Sequence, residues 1–179
     1  IEPDLAMFGK SLGNGYAITA CIGKKEIMKH ANDSFISSTF WTERIGPAAA
    51  LKALEIMEKE KSWTKITNIG IEIVDRWEKL GKVYNLPIQI SGLPSLAVFT
   101  IKSNNWIKYK TFICQEMLKN GFLASNLIYS CIDHKSYVLD QYFDRLESIF
   151  SIIKDCENGR DIDTLLEGPI CQTGFGRLN

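Results

Sequence analysis

Histidine is nearly missing from this chain: His30 and His134 are all it has among 179 residues. Its five cysteines, Cys21, Cys114, Cys131, Cys156 and Cys171, are odd in number and scattered, and no two form a C-x-x-C pair. This pattern argues against a zinc site and against a disulfide framework. No metal is expected, and the cysteines read as the reduced thiols of a cytoplasmic protein. Net charge is missing as well. Twenty-one basic residues balance twenty-one acidic ones, which leaves no electrostatic footprint for nucleic acid and no polybasic patch for a membrane. No apolar run approaches the roughly 18 residues that span a bilayer, and no secretory leader is visible. Neither nucleic acid nor membrane is therefore expected as a partner. Residue 1 is isoleucine rather than methionine, so the opening reads as a chain already in progress.

What is present is enough apolar material to build with. Hydrophobic residues make up 45% of the chain, sufficient for one domain or for a small domain plus a piece of another. Strand and helix patterns alternate. "YAITACIG" (16–23) reads as a strand and "KKEIMKHA" (24–31) as a short helix. A polar and aromatic connection follows. "PAAALKALEIMEKEKSW" predicts a helix opened by Pro47, where a missing N–H costs nothing. The pattern continues as helix through residue 85, with Ile66, Ile69, Ile73, Trp77 and Leu80 on one face. "IQISGLPSLAVFTI" predicts a strand pair broken by Gly92-Leu93-Pro94. Helix is expected again over residues 106–121, with Gly121 at its end suited to a left-handed cap. A strand over Leu127–Cys131 and a long amphipathic helix ending near Gly159 complete the pattern. The tail beyond has no clear period, and the role of Gly174–Arg177 is unassigned. Alternation of this kind argues for an α/β or α+β protein. The natural boundary is near Ser62, giving 1–62 as one part and 63–179 as another.

One stretch asks for chemistry. "MFGKSLGNGYA" sets Lys10 among Gly9, Gly13 and Gly15. Such a lysine can hold a nucleotide phosphate, carry a cofactor covalently, or simply sit in an exposed turn. The first reading needs the P-loop pattern G-x-x-x-x-G-K-[ST] after a strand. Gly9, Lys10 and Ser11 fit its tail, but Asp4 stands where the first glycine should be. A carboxylate there repels phosphate, and its side chain hinders close backbone approach. Pro3 also interrupts any strand before the loop.

The wider segment "PDLAMFGKSLGNGYAITACIGKKEIM" resembles the lysine segment of class III aminotransferases, particularly relatives of glutamate-1-semialdehyde aminomutase. Pro3, Asp4, Gly9, Lys10, Gly13, Gly15, Ala20, Gly23, Glu26, Ile27 and Met28 stand in matching places. Downstream, "SSTFWTERIGPAAALKALEIME" resembles the family's phosphate-contacting threonine and the alanine-rich helix after it. The resemblance runs the length of the chain, more weakly beyond Ser62. It implies the C-terminal portion of a fold type I transferase, less than half of the enzyme. Residues 1–62 would end the large cofactor-binding domain, and residues 63–179 would form the small α+β domain. The implied cofactor is pyridoxal 5'-phosphate, the implied activity amino-group transfer to or from a small amino compound, and the implied assembly a homodimer.

Carried over residue by residue, the resemblance makes Lys10 the Schiff-base lysine. A lysine amine is what the cofactor's aldehyde requires, and once freed it can move a proton between carbons. Thr39 would bind the cofactor phosphate of the neighbouring subunit, with Ser38 beside it. Without that resemblance, Thr39 is a loop threonine that caps locally. Two departures stand out. Ala17 replaces a frequent proline, and Trp41-Thr42-Glu43-Arg44 replaces a frequent Ser-Gly-Asn-Pro. The second brings bulk and charge toward the cofactor entrance and leaves the substrate open. Arg44 could meet a substrate carboxylate or stay solvated or ion-paired. The family's aspartate to the pyridine nitrogen, its glycine-containing phosphate turn and its ring-stacking aromatic residue all belong upstream of Ile1. The chain by itself is therefore expected to be inactive. Elsewhere, Ser130 or Cys131 beside His134 offers a weak nucleophile pairing. The plainer expectation is that His134 caps the next helix. Tyr137, Tyr142, Phe143 and Phe150 read as core or interface. Two functions follow: the lysine-bearing part of a pyridoxal-phosphate aminotransferase or aminomutase, or a catalytically inactive remnant or interaction module of that fold.

Overall fold

Near its start the chain forms a small antiparallel ribbon, β1 (Leu5–Phe8) and β2 (Ala20–Gly23), paired Leu5 with Gly23 through Phe8 with Ala20. The computed structural model describes residues 2–172 and 174. These divide into two compact units that meet in sequence between Ser62 and Trp63.

The first unit holds the ribbon, a single 3-10 turn at Lys10–Leu12, a short helix α1 (Lys25–Met28) that runs on into 3-10 structure, and α2 (Ile45–Glu60). The expectation that Pro3 prevents a strand before Lys10 is corrected by β1. Proline costs only the ladder bond at its own position, and pairing begins two residues later at Leu5. The case against a P-loop therefore rests on Asp4. Only the second half of "YAITACIG" is strand, because Tyr16 turns back to donate its amide to the Gly13 carbonyl at 3.1 Å. Helix α2 begins two residues before Pro47. Proline is then the third helical residue, where its absent N–H is still one of those lacking an intrahelical acceptor. The helix also does not run on unbroken. Lys61 adopts a left-handed φ of 47° and ends α2 before α3 (Ser62–Val83) begins.

The second unit is built on a three-stranded antiparallel sheet in the order β3 (Ile88–Leu93), β4 (Leu96–Ile101), β5 (Leu127–Tyr129). The hairpin turns at Pro94-Ser95, one step later than the sequence suggests, since Leu93 pairs with Leu96. Gly92 supplies the positive φ of 89° just before it. The central strand alternates, with Ala97, Phe99 and Ile101 buried, as a half-covered sheet requires. Against that face pack the apolar stripes of α3, α4 (Trp106–Lys119) and α5 (Ser136–Glu157). Trp77 is fully buried, 4.8 Å from the Phe99 ring, and its indole N–H donates to the Tyr142 hydroxyl at 3.2 Å. Burial of Tyr142, Phe143 and Phe150 agrees with the sequence reading; Tyr137 is exposed. Gly121 takes the expected left-handed conformation after α4.

Candidate active site

Lys10 opens the 3-10 turn and has a positive φ of 50°. For a residue with a Cβ this left-handed geometry costs roughly 1–2 kcal/mol and needs local support. Three hydrogen bonds supply it. The Lys10 carbonyl accepts from the amides of Gly13 and Asn14, each at 3.2 Å, and the Leu12 amide donates to the Gly9 carbonyl at 3.1 Å. Gly13 is buried, and a Cβ there would lie 2.2 Å from the Tyr16 carbonyl oxygen. The turn can close only around a glycine. The Lys10 side chain stays exposed, and its amine has no hydrogen bond or ion pair among the described residues.

Ser38 and Thr39 lie on the connection into α2, both exposed. The Ser38 hydroxyl oxygen accepts from the Phe40 amide at 3.2 Å, which leaves its O–H free to donate outward. The Thr39 side chain has no hydrogen bond among the described residues. No hydrogen bond joins this segment directly to the Lys10 turn among the described residues. Packing brings the neighbouring elements together instead: α2 rests against the Lys10–Leu12 turn.

The departure Trp41-Thr42-Glu43-Arg44 has a structural use that the sequence reading missed. The Glu43 carboxylate accepts from the amides of Ile45 and Gly46, the latter at 3.0 Å, and so caps α2. The hydrogen bonds from Gly46 and then Ile45 hold its pKa below the ordinary carboxylate value. A glutamate shortly before an alanine-rich helix is the signal that could have found it. Arg44 is exposed and makes no ion pair among the described residues. His134 does not cap α5; its Nδ1 accepts from the Cys131 amide at 3.4 Å across a tight loop. Ser130 Oγ is buried without a partner among the described residues, so it forms no pair with His134.

The chain matches the aminotransferase class-III family over residues 1–153. It belongs to the class III aminotransferases. Among curated relatives it is 35% identical, over 62% of its length, to 3-aminobutyryl-CoA aminotransferase of Cloacimonas acidaminovorans, covering 27% of that protein. It is 23% identical, over 86% of its length, to glutamate-1-semialdehyde 2,1-aminomutase of Hyperthermus butylicus, covering 40% of that protein. The chain thus spans well under half the length of these relatives. In structure it superposes on the FumI protein of Sphingopyxis sp. MTA144, solved in its PLP internal aldimine form, with a TM-score of 0.80. That match has 20% identity and covers 93% of this chain and 41% of the other. An S-selective transaminase from Arthrobacter sp. superposes with a TM-score of 0.74 at 18% identity over 88% of this chain and 40% of its own. The fold is that of fold type I pyridoxal-phosphate transferases, in agreement with the α/β expectation, and pyridoxal phosphate is the cofactor of the family.

Proposed function

We propose that this chain supplies the lysine-bearing part of a pyridoxal-phosphate-dependent aminotransferase or aminomutase acting on a small amino compound. The observation that carries the reading is Lys10: an exposed amine without a partner among the described residues, on a left-handed turn between glycines, inside the segment that matches the family. The donor set fits the cofactor. A primary amine suits an aldehyde, and the hydroxyls of Thr39 and Ser38 with nearby backbone N–H groups suit a phosphate.

When bound, pyridoxal phosphate supplies an aldehyde that condenses with amines and a ring that accepts an electron pair from a substrate carbon. Lys10 would hold the cofactor through Nζ, in a place that a substrate amine could also take. A neutral Nζ at that position would also be able to accept a proton from a substrate carbon and return it. Gly9 and Gly13 keep bulk away from the turn that carries the amine. Thr39 donates its hydroxyl and N–H to the phosphate of a neighbouring subunit, assisted by Ser38, so the working form is a homodimer. Its place is the cytoplasm. Among the described residues no helix is long and apolar enough to cross a membrane. In this reading residues 1–62 close the large cofactor-binding domain, and the unit from residue 63 onward is the small domain.

Lys10→Ala in the intact protein tests the assignment. The visible absorbance of the covalently held cofactor and amino transfer should both disappear, while the circular dichroism spectrum stays unchanged. Borohydride trapping followed by peptide mapping should label Lys10. A label on any other lysine would sink the reading.

A further inference from the structure

We propose that Glu43 and Gly46 form a clasp that fixes the Thr39 loop against the Lys10 turn, which makes Glu43 a positioning residue for the cofactor phosphate. This rests on the reading of Thr39 as the phosphate contact. The loop carrying Thr39 is folded by successive hydrogen bonds. The Phe40 amide donates to Ser38 Oγ, the Glu43 amide donates to the Phe40 carbonyl at 3.1 Å, and the Glu43 carboxylate takes the amides of Ile45 and Gly46. Thr39 sits inside this series with its own side chain uncommitted.

The far end of the series is anchored by contact. Gly46 is buried, and a Cβ there would stand 2.7 Å from the Ala17 carbonyl oxygen and 3.2 Å from Ile18 Cβ. Ile18 is also the neighbour of the lysine turn, since a Cβ on Gly13 would stand 2.7 Å from Ile18 Cγ2. The first turn of α2 therefore lies on the backbone that follows Lys10. Glu43 holds Gly46 in that place while its own amide holds the Thr39 loop. Within Trp41-Thr42-Glu43-Arg44, Glu43 thus orders this loop through its amide and its carboxylate. In a dimer whose Thr39 serves the partner's phosphate, the clasp ties each chain's lysine turn to the neighbouring site.

A plain helix cap would support stability alone; a positioning residue must act on the phosphate. The test uses the intact protein and compares binding of pyridoxal 5'-phosphate with binding of pyridoxal, which lacks the phosphate. Both are followed by absorbance titration, with the thermal midpoint as a control. Glu43→Ala should weaken pyridoxal phosphate about tenfold while pyridoxal changes little. Glu43→Gln keeps one of the two accepting oxygens and should restore part of that loss. Adding Glu43→Ala to Thr39→Ala should cost nothing further, because the two act through one contact. If Thr39→Ala weakens pyridoxal phosphate but Glu43→Ala does not, the clasp is wrong and the Thr39 reading stands. If Thr39→Ala has no effect, the Thr39 reading fails and the clasp fails with it. Equal weakening of both compounds, or full additivity with Thr39→Ala, would reduce Glu43 to a cap. Should Glu43→Ala not fold, the same phosphate-specific comparison on Glu43→Met, which keeps the bulk and loses both accepting oxygens, decides, with an unchanged ratio of the two affinities overturning the proposal.

Discussion

At the scale of single residues, the glycine-flanked turn at Lys10 was legible and its geometry was not. Glycines on both sides marked the lysine as special, but nothing in "GKSLGNG" announces a positive φ at the lysine itself. That conformation comes from the carbonyl accepting two amides three and four residues on. Glu43 shows the same limit. Read as bulk and charge near a cofactor, it turns out to spend its charge on two backbone amides. Its titration offers a prediction with a definite sign. A folded-state pKa below the ordinary value of 4.5 means that the cap stabilises the fold above that pH. The contribution is lost as pH falls through the lowered folded value. The amide resonances of Ile45 and Gly46 should therefore titrate together, with a midpoint below 4.5. A midpoint at or above 4.5 would mean that the carboxylate is not bonded there in solution.

At the scale of elements, long amphipathic segments declared themselves and short ones did not. Ile73 and Trp77 of α3 follow the helical period closely enough to be placed from sequence, and both are completely buried. Strand β1 was missed because four residues carry too little pattern to outweigh a proline beside them. The break between α2 and α3 was missed because Lys61 is a good helix former whose left-handed turn is set by its surroundings. The close approach of α3 to the β3–β4 hairpin was equally hidden. A Cβ on Gly70 would fall 1.7 Å from the Pro94 carbonyl oxygen, which is backbone and cannot swing aside. Gly70→Ala should then cost about 1–3 kcal/mol in urea unfolding, despite the better helix propensity of alanine. A neutral or stabilising result would show that the hairpin yields at no cost.

At the scale of the whole molecule, the first unit leaves Phe35 96% exposed, Trp41 68% and Phe40 59% on the connection that carries Thr39. So much aromatic surface in one segment suits an interface, as the homodimer reading requires. Mixing intact Lys10→Ala subunits with intact Thr39→Ala subunits puts the sharing of sites to the test. In a mixed dimer, one of the two sites combines a normal lysine with a normal threonine. Activity should rise above that of either variant alone. Its absence, once subunit exchange is demonstrated, would remove the cross-subunit role of Thr39.

In the homodimer proposed above, the same aromatic segment would bear on the life of a subunit before it pairs. To the chaperones and proteases that survey a cell, a lone subunit displaying Phe35, Phe40 and Trp41 resembles an unfolded chain. Turnover should then depend on how much is made. Scarce subunits meet slowly and are cleared, whereas abundant ones pair and persist. Pulse-chase half-lives should lengthen as expression rises and lose that dependence in Phe35→Ser/Trp41→Ser. A half-life independent of dose in the unaltered protein would show that quality control does not see the loop.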